Sequence, residues 1–205
     1  MTPSERIRGA MQQLRAAHDE LQTALAKDNG RSRGPVVRQL HEIRRMLDPA
    51  YPYTSQAGQD RVIDNLFKGK TGGTFIDVGG YDGITGSNTL FLEQRRGWSG
   101  VLVEPVAGQI FTARNARRCP CLQYAVAPQD GEATFIAVTE GYTQMSGLAD
   151  HYDPALLDTV RADPRHKEQV TTVQTRTLSR ILTESGFEHP DFISLDIEGG
   201  EVAVL

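Results

Sequence analysis

The sequence predicts an α/β domain built on a βαβ sheet and preceded by a helical segment. From Tyr53 onward, short apolar runs alternate with amphipathic segments of helical period, which is the pattern of strands joined by crossover helices. A glycine-rich turn follows the first of these runs, as a tight strand-to-helix connection requires. The first fifty residues carry a helical apolar period instead. We therefore divide the chain into a helical appendage at 1–50 and a sheet domain at 51–205.

The appendage begins with a helix start signal. Thr2 supplies an N-cap hydroxyl, Pro3 suits the first helical position, and Glu5 completes a capping box. Apolar positions then step by four and three residues, which is the spacing of a coiled-coil seam. The seam runs through Ile7, Met11, Leu14, His18, Leu21 and Leu25.

A second amphipathic helix is predicted after a short break. Asn29 and Gly30 are typical of a helix end, residues 31–35 form a basic linker, and apolar residues at helical spacing resume from Val36 to Leu47. We expect the two helices to form a hairpin that packs on the domain or on a partner chain. A homo-oligomer assembled through these helices is one such arrangement.

The elements of the sheet domain follow in order from the positions of apolar runs and turn signals. The predicted strands are residues 74–78, 101–103, 122–126, 132–138, 170–176 and 192–195. The predicted helices are residues 89–96, 109–118 and 178–185. The strand at 170–176 alternates like an antiparallel or edge strand, and residues 141–167 form a polar insert with short helical pieces. The chain stops at Leu205, so we expect the sheet to be incomplete at its C-terminal side.

Composition excludes several classes of partner. Twenty-two basic and 26 acidic residues give a net charge of −4, which disfavours binding to nucleic acid. No apolar run is long enough to span a membrane, and the N-terminus has no apolar signal core, so we expect a cytoplasmic protein. Cys119 and Cys121 are separated by one residue, and we interpret them as reduced thiols near a buried strand.

The turn Asp77-Val78-Gly79-Gly80-Tyr81-Asp82-Gly83 is the first candidate for ligand binding. Its glycines let a ligand approach the backbone closely. Asp77 and Asp82 would repel the pyrophosphate of a dinucleotide, whereas S-adenosylmethionine offers a cationic ammonium and a cationic sulfonium. We therefore predict that the turn binds S-adenosylmethionine, with Gly79 and Gly80 against the cofactor. The alternative is that the two carboxylates only cap the turn.

Three further positions support a nucleoside ligand. Glu104 ends the second strand and could accept hydrogen bonds from both ribose hydroxyls. Asn88 could bind the carboxylate of the cofactor or could N-cap the following helix. Residues 124–126 could flank an adenine ring, although core packing explains them equally well.

Asp196, Glu198 and Glu201 follow the last predicted strand. Asp196 and Glu198 would share one face of an extended strand. Asp196 could orient or deprotonate an acceptor hydroxyl, or the pair could hold a divalent cation, or Glu198 and Glu201 could favour the next helix N-terminus. We assign Asp196 and Glu198 as catalytic candidates and assign no metal site. His151 and His166, both in the insert, are further candidates for a general base.

Three segments together resemble the FkbM-type methyltransferase family: residues 55–60, residues 75–105 and residues 191–201. The resemblance covers residues 53–205 and implies a Rossmann-like class I fold. It also implies methyl transfer from S-adenosylmethionine to a hydroxyl of a sugar or natural product. By position, the resemblance assigns cofactor roles to Asp77, Gly79, Asp82 and Glu104. Tyr81 stands where the family often has asparagine, so that contact is not transferred.

The sequence therefore predicts an S-adenosylmethionine-dependent O-methyltransferase that acts on a hydroxyl of a sugar, glycan or secondary metabolite. Two other hypotheses remain at this point. One is a non-catalytic, oligomeric binding or scaffold protein of the same fold, assembled through the helical appendage. The other is an NAD-binding oxidoreductase, which the acidic turn disfavours.

Overall fold

The computed structural model describes residues 1–28, 30 and 33–205. Helix α1 spans Pro3–Lys27, and its capping box is present: the Thr2 hydroxyl accepts the Glu5 N–H at 3.2 Å, and the Glu5 carboxylate accepts the Thr2 N–H at 2.7 Å. No residue of α1 is buried. The predicted start signal is confirmed. Because no residue of α1 is buried, its stability depends on its N-terminal cap and on its contact with the next helix.

Helix α2 spans Arg33–Leu47, contacts α1, and buries Leu40, His41 and Ile43. The prediction that residues 31–35 form a linker is wrong for residues 33–35, which are helical. Proline is tolerated in a first helical turn, where its missing N–H has no helical partner to lose. The predicted helix end at Asn29 and the linker residues Arg31 and Ser32 lie outside the described residues.

A four-stranded parallel sheet carries the domain. Its strands are β1 (Thr74–Val78), β2 (Ser99–Val103), β3 (Cys121–Leu122) and β8 (Phe192–Leu195). Their spatial order is β3-β2-β1-β8, and every pair is parallel. The helices that accompany the parallel sheet are α3 (Gln59–Leu66), α4 (Leu90–Arg96), α5 (Ala107–Ala116), α7 (Leu178–Ser185) and α8 (Glu201–Val204). The α/β prediction is confirmed.

Both faces of this sheet are covered, as parallel sheets require. Because side chains alternate along a strand, Phe75 belongs to one buried cluster with Leu92 and Leu102, while its neighbour Ile76 belongs to a second cluster with Val101. Val78 pairs in register with Val103 on one side and Leu195 on the other. The carboxyl ends of three strands therefore meet at one edge, where ligands bind in sheets of this kind.

A second sheet continues from the first. It contains β4 (Ala125–Val126), β5 (Gly131–Glu140), β6 (Gly147–Leu148) and β7 (Lys167–Arg176) in the order β4-β7-β5-β6, and α6 (Pro154–Arg161) precedes β7. Strand β7 is antiparallel to β5 over its whole length. The predicted antiparallel strand and the helical piece in the insert are confirmed.

One predicted strand, residues 122–126, is wrong as a single element. The chain divides there into β3, which pairs with β2, and β4, which pairs with β7. The Tyr124 N–H donates to the Leu122 carbonyl at 3.2 Å, and this tight turn redirects the chain from one sheet to the other.

Two other sequence features can be compared with the fold. Cys119 and Cys121 are both free and buried, as predicted. Across the residues that the structure describes, no helix has the length and apolar character needed to cross a bilayer.

Candidate functional site

Two adjoining cavities open at the carboxyl edge of the parallel sheet. The first is bounded by the ends of β1 and β2, by Tyr124 and Val126, and by β5. The second opens to solvent and lies between the glycine turn and the insert. Gly79 and Asp196 border both cavities.

Glu104 is one of two acidic groups that line the first cavity, the other being Asp196. It follows the end of β2, is 6% exposed, and accepts the backbone N–H of Tyr81 at 3.1 Å and that of Val106 at 2.9 Å. Burial raises the pKa of Glu104 to about 7. Each carboxylate oxygen retains acceptor capacity beyond its single backbone bond, so Glu104 can accept hydrogen bonds from a ligand in this cavity.

Asp77 lines the second cavity at the end of β1. The Thr89 hydroxyl donates to its carboxylate at 2.5 Å, and the Arg117 guanidinium lies 3.8 Å away. Burial raises the pKa of Asp77, and the hydrogen bond from Thr89 and the charge of Arg117 oppose that rise. Asp77 is therefore a buried acid at the cavity wall, held in place by an arginine.

Arg117 is the residue that sequence reasoning missed. It is fully buried and donates to Glu93 at 3.0 Å, to the Thr89 hydroxyl at 2.9 Å and to the Gly83 carbonyl at 3.2 Å. Its guanidinium thereby joins α4, the glycine turn and the end of α5. The sequence offered only an arginine in the last turn of the helix predicted at residues 109–118, which is typical of a solvated helix end.

The glycine turn is packed so tightly that side chains are excluded. A β-carbon on Gly79 would lie 1.8 Å from the Asp196 carbonyl oxygen, and one on Gly80 would lie 2.4 Å from Leu102. Gly79 also has a φ of +76°, which glycine adopts without strain. Both glycines border the second cavity, but the space that their β-carbons would need is filled by the protein itself, so packing requires glycine at these two positions.

Asp82 does not reach either cavity wall. Its carboxylate accepts the backbone N–H of Ile84 at 2.9 Å, and the backbone N–H and hydroxyl of Thr85, each at 2.7 Å. These bonds are those of a residue that caps its own turn. The geometry favours the turn-capping alternative for Asp82, and its cofactor role stays a prediction.

Asn88 lines the second cavity. Its amide nitrogen donates to the Ser194 hydroxyl at 3.0 Å, and its buried Oδ1 has no hydrogen-bond partner among the residues that the structure describes. The alternative that Asn88 caps the next helix is wrong, because Thr89 occupies the N-cap position and the Ser87 hydroxyl accepts the backbone N–H groups of Thr89 and Leu90. The unsatisfied oxygen is an acceptor, which suits an ammonium group better than a carboxylate.

Asp196 and Glu198 both border the second cavity. The sequence predicted them on an extended strand, but they lie in the turn that follows β8. Strand β8 ends at Leu195, and Glu198 has a φ of +59°, so the prediction that the two share a face of an extended strand is wrong. Burial raises the pKa of Asp196, and burial together with Asp196 raises the pKa of Glu198 to about 7. Two adjacent acids thus titrate closer to neutrality than free carboxyls.

Glu201 belongs to the turn and not to the cavity. Its carboxylate accepts the backbone N–H of Ile197 at 3.2 Å and that of Gly199 at 3.1 Å. These bonds hold the turn in which Asp196 and Glu198 lie. In the part of the chain that the structure describes, no group of three or more His, Cys, Asp or Glu residues could hold a metal ion.

A polar bridge separates the two cavities. The Tyr81 and Thr143 hydroxyls are 2.8 Å apart, which joins the glycine turn to the insert. Beside it, the Gln144 amide donates to the Thr85 carbonyl at 3.1 Å and accepts from Gln56 at 3.2 Å. The insert therefore covers the strand ends, as expected of a segment that walls a binding site.

The two candidate histidines lie outside both cavities. His151 is exposed, and His166 bonds Glu168 at 2.9 Å in the second sheet. Neither lines the wall of the two cavities. The geometry favours a carboxylate over a histidine as a general base here.

Tyr124 lines the first cavity, as expected of a residue that could flank an adenine ring. The Arg176 guanidinium lies over the Tyr124 ring, 4.7 Å from its centroid.

Comparison with known proteins identifies one matching family. A family model described as the methyltransferase FkbM domain matches residues 77–205. The searches of curated proteins and of solved structures gave no match. The matched region begins at Asp77 and contains Glu104 and the Asp196–Glu198 turn, while α1, α2 and α3 precede it.

Proposed function

Because the chain belongs to the FkbM methyltransferase family, we propose that it transfers a methyl group from S-adenosylmethionine to a hydroxyl oxygen of a sugar, a glycan or a secondary metabolite. One observation carries this proposal. Glu104 and Asp77, at the ends of neighbouring strands, each face one of two adjoining cavities beside the glycine turn.

The residues present fit the cofactor at several points. The first cavity combines apolar walls with Glu104, which suits a nucleoside with two ribose hydroxyls. In the second cavity, the unsatisfied Oδ1 of Asn88 and the acid Asp77 suit a cationic amino group. The acids Asp77, Asp196 and Glu198 at the same cavity disfavour an anionic dinucleotide pyrophosphate.

When bound, S-adenosylmethionine would supply a methyl group on a sulfonium that is already a good leaving group. The chain's own task is then to hold the acceptor oxygen in line and to remove its proton. We propose that Asp196 and Glu198 do this, since both border the second cavity and both have raised pKa values. A carboxyl group with a raised pKa is a stronger base than an ordinary carboxylate, and near neutral pH a useful fraction of it is still deprotonated.

The walls of the second cavity support a polyhydroxylated acceptor. Away from the acids they are mainly amide, hydroxyl and phenol groups, with one arginine from α2, beside glycines and Met145. The polar groups are Gln56, Asn88, Gln144, Tyr81, Tyr142, Thr85, Thr143, Ser87, Ser194 and Arg38. Such groups can donate to and accept from sugar hydroxyls, so the acceptor is proposed to bind here.

Calorimetric titration with S-adenosylmethionine tests cofactor binding. We expect Glu104→Gln to weaken binding about 10- to 100-fold, because hydrogen bonds to a charged acceptor contribute about 1.5–3 kcal/mol. Glu188→Gln, an exposed change away from the cavities, is the matched control and should bind normally. Absence of binding by the native chain, or binding of NADH in its place, would contradict the proposal.

Methyl transfer itself is tested with a radiolabelled methyl donor and a panel of monosaccharides, oligosaccharides and hydroxylated natural products. Label should appear in an ether product with the native chain, and Asp196→Asn should lower the rate without abolishing cofactor binding. A chain that binds the cofactor but labels none of a broad panel would favour the scaffold alternative.

We also propose that α1 and α2 form a helical hairpin in which α1 extends from the domain and α2 packs against it. The support is that α1 contacts α2 and buries no residue, whereas α2 buries Leu40, His41 and Ile43. The division of the chain at residue 50 stays a prediction, which removal of residues 1–50 tests.

A further inference from the structure

The wall of the second cavity carries a positive charge that comes from outside the methyltransferase segment. Among the residues that the structure describes, Arg38 is the only lysine, arginine or histidine that lines this cavity, and the other charged groups there are the acids Asp77, Asp196 and Glu198. Arg38 lies on α2, whereas the family model matches residues 77–205. The helical hairpin therefore supplies a charge to this cavity that the matched region does not.

Arg38 lies apart from the acids. Close to it in α2, the ring of His41 packs against Gly58, where a β-carbon would lie 3.1 Å from its Nδ1. Glu198 lies beside the insert instead, since a β-carbon on Gly147 would lie 3.4 Å from that of Glu198. An arginine in contact with Glu198 would lower its pKa, but burial and neighbouring acids raise that pKa to about 7. The cavity is therefore polarised, with acids at the strand ends and a cation on the α2 side.

The guanidinium of Arg38 is available to a ligand. Its Nε donates to the Glu42 carboxylate at 3.1 Å, and the two side chains are 64% and 47% exposed. Exposed ion pairs one helical turn apart contribute little to stability, so a ligand can replace Glu42 at small cost. The backbone that carries Arg38 is held in place, because Leu40 and His41 of the same helix are buried. An arginine in this setting is suited to bind an anionic group of a ligand.

We propose that the acceptor is a sugar that carries a carboxylate, as uronic acids do, and that Arg38 binds this carboxylate while Asp196 and Glu198 receive the hydroxyl to be methylated. This inference rests on the proposed function. The fork of N–H donors on a guanidinium matches the two oxygens of a carboxylate, and one arginine balances its single charge. The neutral amide and hydroxyl groups of the same wall are suited to the remaining hydroxyls of a sugar ring.

The charges of the cavity favour a carboxylate over a phosphate. A phosphate monoester carries a charge of about −1.5 to −2 at neutral pH, and one arginine in a cavity with three acids would leave part of that charge uncompensated. A dinucleotide pyrophosphate is disfavoured for the same reason, and it would also lie at the glycine turn, beside Asp77. A uronic acid brings one negative charge, which it can place on the α2 side.

Calorimetric titration with matched pairs of methyl glycosides tests this inference without turnover. Each pair consists of a methyl hexoside and the corresponding methyl uronide, in the glucose, galactose and mannose series, and S-adenosylhomocysteine is present throughout. We expect the native chain to bind the uronide of at least one pair about 10- to 100-fold more tightly than its hexoside, which is the usual contribution of hydrogen bonds between charged groups. The hexose 6-phosphate of each series is titrated in parallel.

Substitutions on α2 assign this preference to one side chain. Arg38→Gln should remove the preference for the uronide, and Arg38→Lys should keep part of it, because lysine retains the charge but not the fork of donors. Glu42→Gln should strengthen uronide binding about twofold, because it removes the competing partner of Arg38. Arg45→Gln is the matched control, since it removes the same charge from an exposed position on the same helix, outside the cavity wall.

Equal binding of uronide and hexoside in all three pairs, or binding of neither, overturns the inference. A preference that Arg38→Gln leaves intact, or that Arg45→Gln removes equally, also overturns it. Tighter binding of a hexose 6-phosphate than of the uronide contradicts the assignment to a carboxylate. Because these titrations do not require methyl transfer, their failure is distinct from failure of the proposed function, which the binding of S-adenosylmethionine and the transfer of its label report.

Discussion

At the scale of single residues, the site depends on groups that are costly to bury and that the fold nevertheless holds in place. Glu104, Asp77 and Asp196 lie at the ends of three adjacent strands, each with a raised pKa. Buried carboxyl groups with raised pKa values cluster at ligand-binding and catalytic sites. Their grouping at the edge of one sheet is consistent with a cationic ligand.

Gly79 gives the clearest prediction at this scale. Gly79→Ala should destabilise the fold by at least about 2 kcal/mol, since a β-carbon would meet the Asp196 carbonyl oxygen at 1.8 Å and a positive φ costs a further 1–2 kcal/mol for a residue with a side chain. Gly108→Ala is the control, because nothing lies within 4 Å and alanine favours its helix. Urea unfolding measures both, and a mild effect of Gly79→Ala would contradict the tight packing.

Glu198 predicts a dependence of stability on pH. Its folded pKa of about 7 lies above its ordinary value of 4.5, so the protonated side chain stabilises the fold. That contribution is complete below pH 4.5 and is lost as the pH rises through 7. Glu198→Gln should therefore become relatively more stable than the native chain over this interval. The difference should be about 1 kcal/mol, because the side chain is partly exposed and solvent screens it.

Chemical unfolding of the native and Glu198→Gln chains at pH 4.5, 6 and 8 measures this difference. Glu188→Gln, at an exposed position, should show none. A stability difference that stays constant with pH would mean that Glu198 keeps an ordinary pKa.

Sequence patterns predicted some site residues and could not predict others, for a physical reason. The positions of Asp77 and Glu104 follow from strand ends, which hydrophobic runs reveal. The roles of Asp82 and Arg117 depend on which way a side chain turns, and local sequence does not encode that. An acid in a turn can face a ligand or its own backbone, and only packing decides between them.

At the scale of elements, the glycine turn is held by helices on either side of it. Arg117, at the end of α5, reaches Glu93 of α4, Thr89 before α4, and the carbonyl of Gly83 in the turn. Strand and helix periods predicted each of these elements nearly to its ends. They did not predict the division of residues 122–126 into β3 and β4, because both halves are apolar and a turn within an apolar run has no signature.

Arg117→Met should destabilise the fold by about 3–5 kcal/mol, because removal of one partner leaves Glu93 and Asp77 buried without their counter-charge. Arg118→Met is the control: Arg118 is the exposed neighbour and donates only to the Glu93 carbonyl. Thermal unfolding followed by circular dichroism measures both variants. Similar transition temperatures for the two would show that the buried network contributes no more than a surface contact.

At the scale of the whole molecule, the two N-terminal helices differ in how they attach to the rest. Helix α1 contacts α2 and buries no residue. Helix α2 is anchored, because its Leu40 and His41 are 1% and 2% exposed and the His41 ring lies 3.1 Å from the Tyr51 hydroxyl. The apolar period predicted both helices equally well, since periodicity reports an apolar face and not what covers it. Arg38 of α2 also reaches the wall of the second cavity.

This difference predicts where the chain can be shortened. Removal of residues 1–32 should cost about 1 kcal/mol of unfolding free energy, since only partly buried contacts on α2 are lost. Removal of residues 1–50 should cost several times more, because burial of Leu40 and Ile43 contributes about 1.5–3 kcal/mol for each side chain. Urea unfolding of the three chain lengths measures the two steps. Equal losses from both truncations would mean that α1 is the stabilising helix, and a negligible loss from the longer one would place the functional boundary at residue 50. The predicted outcome instead makes α2 part of the methyltransferase domain, with its arginine at the acceptor cavity.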